Sequence, residues 1–449
     1  MNKHEPPPER RTLLQRIFVP KSFLAEMVLL LAGAGSAQLI VVATAPLLSR
    51  LYTPANFAGL ALLTSCVAIV SRVSSFKYET AIATGRNRPE MGTLAAIATW
   101  GVFGFTAAGI AIPLFFFPLL EIRLGTSAAI MFCCCLPVVI LFDGLIQIVI
   151  TWAVRWRQFT VVSANDLIRN GTSTAAQAGL GLLRVGGGGL MFGQAVGTTV
   201  AFLVLTRRGA ISELYRLGTR SSWRRRRAVA RRFADFPMFQ MPKAVMNAGG
   251  RNLPAILIAG YYTAASTGFF FLAQRLTNLP AQLVSQSLGR VLMQRFANMR
   301  NVKRVSLLPL LLRSTALFVA ISIPFVLAMT LEGPRLFGLF LGPDWVIAGR
   351  FATWTVLWSA GIICGTPAQM ALTVQRKNRI LLAIEAVFFL PRLLPFPVFA
   401  ASGRIEAAIA SCCVAGLLYN ASTIIFAFYH SAREGRRIEA SQRSAGLRL

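Results

Sequence analysis

Two neighbouring stretches, Phe239–Tyr261 and Gly268–Leu292, are apolar over lengths that a soluble domain rarely needs. Each exceeds the ~20 residues that, rising 1.5 Å apiece, cross a hydrocarbon layer of roughly 30 Å. Each also carries one misfit, Arg251 in the first and Arg275 in the second. If the two form a helical hairpin with its tip at Tyr262–Thr267, both arginines lie about 12 residues from the tip, roughly 18 Å down and at one depth. Cations so deep face a protein interior or a watery cavity rather than lipid.

Other polar residues keep the same company. Gln240, Lys243, Asn247 and Arg251 recur at three- and four-residue spacing, so they share a helix face. Gln274, Asn278, Gln282 and Gln286 do the same on the second stretch, with Arg275 beside them. Amides alone serve to join helices to one another. Arginines without acidic neighbours do not, and the stripe reads as the wall of a hydrated passage for something anionic.

Ten more segments of this kind are expected, at about Phe23–Leu48, Phe57–Ser74, Thr93–Phe117, Ala128–Thr151, Phe159–Leu183, Leu190–Leu205, Leu307–Thr330, Phe351–Val374, Ile380–Ala401 and Glu406–Phe428. Gly186–Gly189 reads as a flexible turn and Glu332–Arg350 as the longest external loop. The 449 residues are 55% hydrophobic. Lysine and arginine number 46 against 16 acidic residues, a net charge of +30 that by itself suggests nucleic acid. Their placement between apolar segments argues instead for the positive-inside rule. With the N-terminus inside, the tails and alternate loops on that side hold roughly five times the lysines and arginines of the other side.

This yields an all-α integral membrane protein of about twelve spans with both ends cytoplasmic. Residues 1–22 form a tail, 23–205 a first lobe, 206–235 a basic linker, 236–430 a second lobe and 431–449 a second tail. An even number of spans per half gives both lobes the same orientation: two parallel six-helix bundles around a central cavity, a common transporter plan. The linker, with Arg224–Arg227, Arg231 and Arg232, reads as a solvated segment touching anionic headgroups rather than as a nucleic-acid site.

Catalysis finds little support. The two histidines, His4 and His430, lie in terminal regions, and the seven cysteines sit in apolar segments with no CxxC spacing, so neither a metal nor a disulfide set is expected. The polar, proline-rich start does not read as a cleavable signal. Intramembrane carboxylates at Glu26, Asp143, Asp166 and Glu385 are candidates for coupling to protons or sodium. Asp166 lies three residues before Arg169, the spacing of a local ion pair.

The run Leu48-Ser49-Arg50-Leu51-Tyr52-Thr53-Pro54-Ala55-Asn56-Phe57-Ala58-Gly59, followed by Phe76-Lys77-Tyr78-Glu79-Thr80-Ala81-Ile82, resembles the N-terminal signature of bacterial polysaccharide-unit flippases, in the multidrug/oligosaccharidyl-lipid/polysaccharide exporter superfamily. Trp152-Ala153-Val154-Arg155, the glycine-rich region 179–193, Phe236-Pro237, Leu253-Pro254 and Ala273-Gln274-Arg275-Leu276 with Pro280 are similar to later parts of that family. The resemblance implies transfer of an undecaprenyl-pyrophosphate-linked oligosaccharide from the cytoplasmic to the periplasmic face of the inner membrane. It implies two lobes rocking around a cationic cavity, driven by an ion gradient without any cofactor. It also implies a place in lipopolysaccharide, exopolysaccharide or capsule synthesis, with a polymerase and chain-length proteins as partners.

Arginine forks bind phosphate oxygens in fixed geometry and do not deprotonate. Arg251 and Arg275 are therefore the expected phosphate contacts, with Asn247, Gln274 and Asn278 bonding sugar or phosphate. The first lobe offers only Arg50, Arg72 and Arg169, fewer cations than family members often carry there. Two other classes remain open: an exporter of cationic drugs, which needs an acidic cavity, and a membrane polysaccharide polymerase, which needs a long external loop. A flippase for a peptidoglycan precursor shares the same mechanism.

Overall fold

A computed structural model describes residues 23–82, 87–156, 158–207, 222–300 and 306–446, and among these every regular element is helical. The first half holds α1 (Phe23–Leu51), α2 (Asn56–Val70), the short α3 (Tyr78–Ile82), α4 (Arg88–Phe115), the short α5 (Phe117–Leu124), α6 (Thr126–Arg155), α7 (Phe159–Leu182) and α8 (Gly187–Arg207). The basic helix α9 (Trp223–Arg232) follows. After a π-helical turn at Phe236–Gln240, the second half holds α10 (Met241–Tyr261), α11 (Ala264–Asn298), α12 (Leu308–Leu341), α13 (Val346–Val374), α14 (Asn378–Leu393), the short α15 (Pro395–Ala400) and α16 (Ile405–Gly446).

Seven stretches are both long and apolar enough to cross a bilayer, namely α4, α6, α8, α12, residues 343–374, residues 378–400 and residues 405–436. The chain is thus a multi-pass membrane protein. Helices α7, α10 and α11 are also longer than a single crossing requires, but carry too many polar side chains for that test. The reason lies in where those side chains point.

Each half repeats one packing scheme. In the first, α7 packs on α1 and α8, and α6 packs on α4, α2 and α8. In the second, α14 packs on α10 and α16, and α13 packs on α12, α11 and α16. The halves meet where α2 lies against α10 and α11, and where α1 touches α11 and α12.

One hydrophobic cluster seals that junction at the end bearing the α1–α2 turn. Phe57 meets the Trp345 ring edge-on with centroids 5.2 Å apart, and Phe269 meets the same indole at 5.8 Å. The indole nitrogen of Trp345 donates to the carbonyl of Ser49 at 3.1 Å, and the Ser49 hydroxyl donates to the carbonyl of Leu341 at 2.7 Å. Gly268, near the start of α11, lies so close to the carbonyl of Pro54 that a Cβ would not fit. Buried aromatic surface and satisfied polar atoms together make this a tight closure.

Two expectations about loops give way. Gly187–Gly189 is the first turn of α8, not a flexible loop. At Gly193 a Cβ would stand 2.5 Å from Gln177 Cγ, and at Gly197 2.5 Å from Ser173 Cβ, so the glycine spacing of four lets α7 and α8 touch backbone to backbone. Of the glycines 186–189, Gly186, with φ of +75°, lies in the turn, which also holds Arg184 at a φ of +55°. The expected loop Glu332–Arg350 is mostly helix: α12 runs on to Leu341 and α13 begins at Val346. Pro334 lies within α12, where it costs one backbone bond rather than ending the helix. The expected tail from residue 431 is helical as far as Gly446, a continuation of α16.

Candidate substrate passage between the halves

The hairpin forms as its sequence suggests. Thr263 caps α11 by accepting a hydrogen bond from the Ser266 amide at 3.2 Å. Arg251 stands ten residues before the end of α10, and Arg275 eleven after the start of α11. At 1.5 Å per residue both lie about 15 Å from the tip. Gln274 ties the helices together there, donating from Nε2 to the carbonyl of Arg251 at 3.2 Å.

The polar stripe is open. Gln240, Asn247, Arg251 and Gln282 are exposed, while Ala248, Gly249, Gly250, Pro254, Ala255 and Ile258 on the same α10 are buried against neighbours. An exposed guanidinium at this depth, continued by exposed amides toward the far end of the hairpin, is incompatible with hydrocarbon and calls for water or ligand. Arg251 lies within electrostatic range of Arg72 from the first half and of Glu385, Tyr419 and Arg392 from the second. Arg275 is half-buried and lines a narrow crevice with Thr44 and Leu48 of α1, Phe57 of α2 and Thr174 of α7. Its guanidinium sits 5.8 Å from the Phe271 ring centroid. Among the described residues, neither Arg251 nor Arg275 forms a salt bridge.

The remaining expected site residues divide. Asn247 and Gln274 join the stripe. Asn278 is committed to the α11–α13 seam, where its carbonyl accepts from Ser359 Oγ at 2.8 Å. Arg50 is exposed in the last turn of α1, beside the sealed end. Arg72 is exposed in the turn after α2, at that helix's other end, so α2's fifteen residues, about 22 Å, separate their levels. The two are not brought together.

Arg169 does not pair with Asp166. It reaches across to Asp143 on α6 at 2.6 Å, because α6 and α7 face each other there while Asp166 lies one turn away on its own helix. This pair lines a cavity of about 220 Å³ inside the first half, with Arg72, Lys77, Glu79 and Gln194. Lys77 and Glu79 are themselves paired at 3.2 Å. The side chain of Glu26 lies outside the described residues.

Sequence reasoning missed Arg392. It is 2% exposed, pairs with Glu385 at 3.0 Å and lies over the Tyr419 ring at 4.3 Å from its centroid. Its Nη1 would stand 2.8 Å from a Cβ at Gly250, the residue before Arg251. The signal was present: Glu385 and Arg392 are seven residues apart, two helical turns, on one face.

Helices of this kind, arranged around a polar seam that joins two similarly packed halves, are the build of a membrane transporter. Residues 47–348 match the family described as polysaccharide biosynthesis protein, and the chain belongs to that family. Three solved structures share its fold. The lipid II flippase MurJ in an inward closed conformation is 12% identical, over 90% of this chain and 91% of its own, at a TM-score of 0.69. A multidrug-resistance MATE transporter of the MOP superfamily, inward-facing, is 13% identical over 91% and 99%, at 0.63. A MOP superfamily transporter from Pyrococcus furiosus, described as having a binding pocket of reverse polarity, is 12% identical over 92% and 96%, at 0.60. No curated protein matches.

Proposed function

We propose that this protein is a flippase of the bacterial inner membrane, moving undecaprenyl-pyrophosphate-linked oligosaccharide units to the periplasmic face by alternating access. On this reading its twelve long helices are two parallel six-helix bundles with both termini cytoplasmic. The observation that carries it is the pair of salt-bridge-free arginines, Arg251 and Arg275, at one depth between the halves. A lipid pyrophosphate holds its charge where sugar meets lipid, and two guanidiniums supply the forks that bind it. The repeated packing scheme supports two rocking units. The aromatic seal at the α1–α2 turn, with Gln240 and Asn247 exposed toward the other end, fits a state closed on the periplasmic side and open to the cytoplasm.

The test is transport in proteoliposomes loaded with a fluorescent pyrophosphate-linked oligosaccharide on one leaflet. Wild type equilibrates the probe, while Arg275→Ala and Arg251→Ala insert and fold but do not. Wild-type transport by the double variant would remove this reading.

The fold shared with a multidrug exporter favours a second reading, export of cations. Its required acidic cavity is thinly supplied: Asp143, Glu79 and Glu385 each hold a basic partner, which leaves Asp166 as the candidate carboxylate outside a salt bridge among the described residues. Dye efflux by cells expressing the protein distinguishes the two. Competition by a lipid-linked peptidoglycan precursor in the same proteoliposomes separates the two kinds of flippase. A polymerase loses its expected long external loop to helices α12 and α13.

A further inference from the structure

A groove of about 900 Å³ runs between α4 and α9, apart from the central hairpin. Its floor is one face of α4: Ile97, Gly101, Gly104 and Ala108 fall at spacings of four, three and four. A Cβ at Gly104 would meet nothing within 4 Å, so the groove is open there. Its other wall is one face of α9, with Trp223, Arg226, Arg227 and Ala230. Helix α9 is docked rather than loose. Arg232 pairs with Glu90 at 2.9 Å, the Tyr78 hydroxyl donates to the carbonyl of Ala230 at 3.2 Å, and Val229 and Phe233 pack on the core around Leu94 and Ala98.

Three features say what fits. From Ile97 to Ala108 the apolar floor is about 16 Å long, half of a hydrocarbon layer of roughly 30 Å and so the depth of one leaflet. The polar wall carries the exposed guanidinium of Arg227 and the half-buried one of Arg226, charges that suit a phosphate and reject a cationic head. Trp100 and Trp223 stand 67% and 76% exposed beside it, the residue type that favours the level between headgroups and chains. A polyprenyl carrier tail would run past Ala108, whereas one acyl chain ends with the groove.

We propose that α4 and α9 hold one anionic phospholipid of the bilayer, its acyl chain along Gly101, Gly104 and Ala108 and its phosphate at Arg226 and Arg227. The bound lipid fastens the linker between the halves to the first half. The site is separate from the transport passage and does not depend on what is carried there.

Native mass spectrometry of the delipidated full chain tests it, with phosphatidylglycerol or phosphatidylcholine of identical chains added back. One phosphatidylglycerol stays bound under conditions that strip phosphatidylcholine. Arg226→Gln with Arg227→Gln weakens retention about thirtyfold, each charge near the surface supplying roughly a factor of five. Gly104→Leu, which fills the open floor without changing charge, weakens retention at least tenfold. Arg224→Gln with Arg225→Gln removes the same charge from residues that do not line the groove, and retains the lipid. Thermal unfolding without added lipid verifies that each variant is folded. Arg227 is exposed whereas Arg226 is half-buried, so Arg227→Gln alone, expected to weaken retention about fivefold, decides the matter even if Gly104→Leu or the paired variant does not fold. Equal retention of both lipids, equal loss in the 224/225 variant, or displacement of phosphatidylglycerol by an equal amount of undecaprenyl phosphate overturns the proposal.

Discussion

The two halves treat their membrane-buried arginines differently. In the first, Arg169 is bonded to Asp143, and the nearby Lys77 to Glu79, whose carboxylate also accepts from the Ser75 hydroxyl. In the second, Arg392 is bonded to Glu385, yet among the described residues Arg251 and Arg275 hold no acidic partner within salt-bridge reach. A charge with a built-in counterion is at least partly compensated by the protein, although Nε and Nη2 of Arg392 keep no hydrogen-bond partner among the described residues. A charge without one sits at a site whose electrostatics are completed only by water or by a bound anion. The contrast separates arginines with a structural counterion, across α6 and α7 at Arg169 and within α14 at Arg392, from the two that the proposed function assigns to the substrate.

The sharpest way to break this contrast is at the hairpin. Replacing Arg251 and Arg275 together by alanine lowers probe translocation at least a hundredfold, since charge-assisted hydrogen bonds to a phosphate contribute about 1.5–3 kcal/mol each. Thermal unfolding of that variant shows a stability equal to or above wild type, because no partner is orphaned. A drop in stability instead would make these arginines structural.

Glu385→Gln does the reverse. It leaves Arg392, 2% exposed, without its counterion and costs about 4 kcal/mol of stability, read as a lowered unfolding temperature. The additional loss of Arg392, as Glu385→Gln with Arg392→Met, restores most of it. Asp143→Asn is expected to cost less, about 2 kcal/mol, because Arg169 borders a polar cavity that admits water. Equal effects at 385 and 143 would mean the cavity in the first half is dry.

The smallest effect tests the frame that holds Arg169. Gly197→Ala forces a methyl against the backbone of Arg169 and Ser173 and costs about 1–2 kcal/mol, measured by thermal unfolding. Transport by the folded variant stays within about threefold of wild type if Arg169 serves structure.

Much of this was legible in the residues. A run of twenty apolar residues has one outcome in a bilayer, so the hairpin, the depth of Arg251 and Arg275 and most helix positions followed from hydropathy and the 1.5 Å rise. The loops were less legible. Gly186–Gly189 and Glu332–Arg350 carry glycine and proline, which mark turns in water. In a packed bundle Gly187–Gly189 and Pro334 sit inside helices, where glycine admits a neighbouring helix and proline's lost bond is tolerated, and of the glycines in the two stretches only Gly186 and Gly342 take turn conformations.

Partnership was the least legible. Asp166 was the nearer acid in sequence, but Asp143, twenty-six residues before Arg169, was the nearer in space. Hydropathy and helix periodicity are local quantities, and they determined by themselves that this chain spans a membrane many times and carries cations at mid-depth. Which of those cations are neutralised depends on how helices rotate against one another across long sequence separations. Only the tertiary structure decided that Arg169 and Arg392 are in salt bridges while, among the described residues, Arg251 and Arg275 are not.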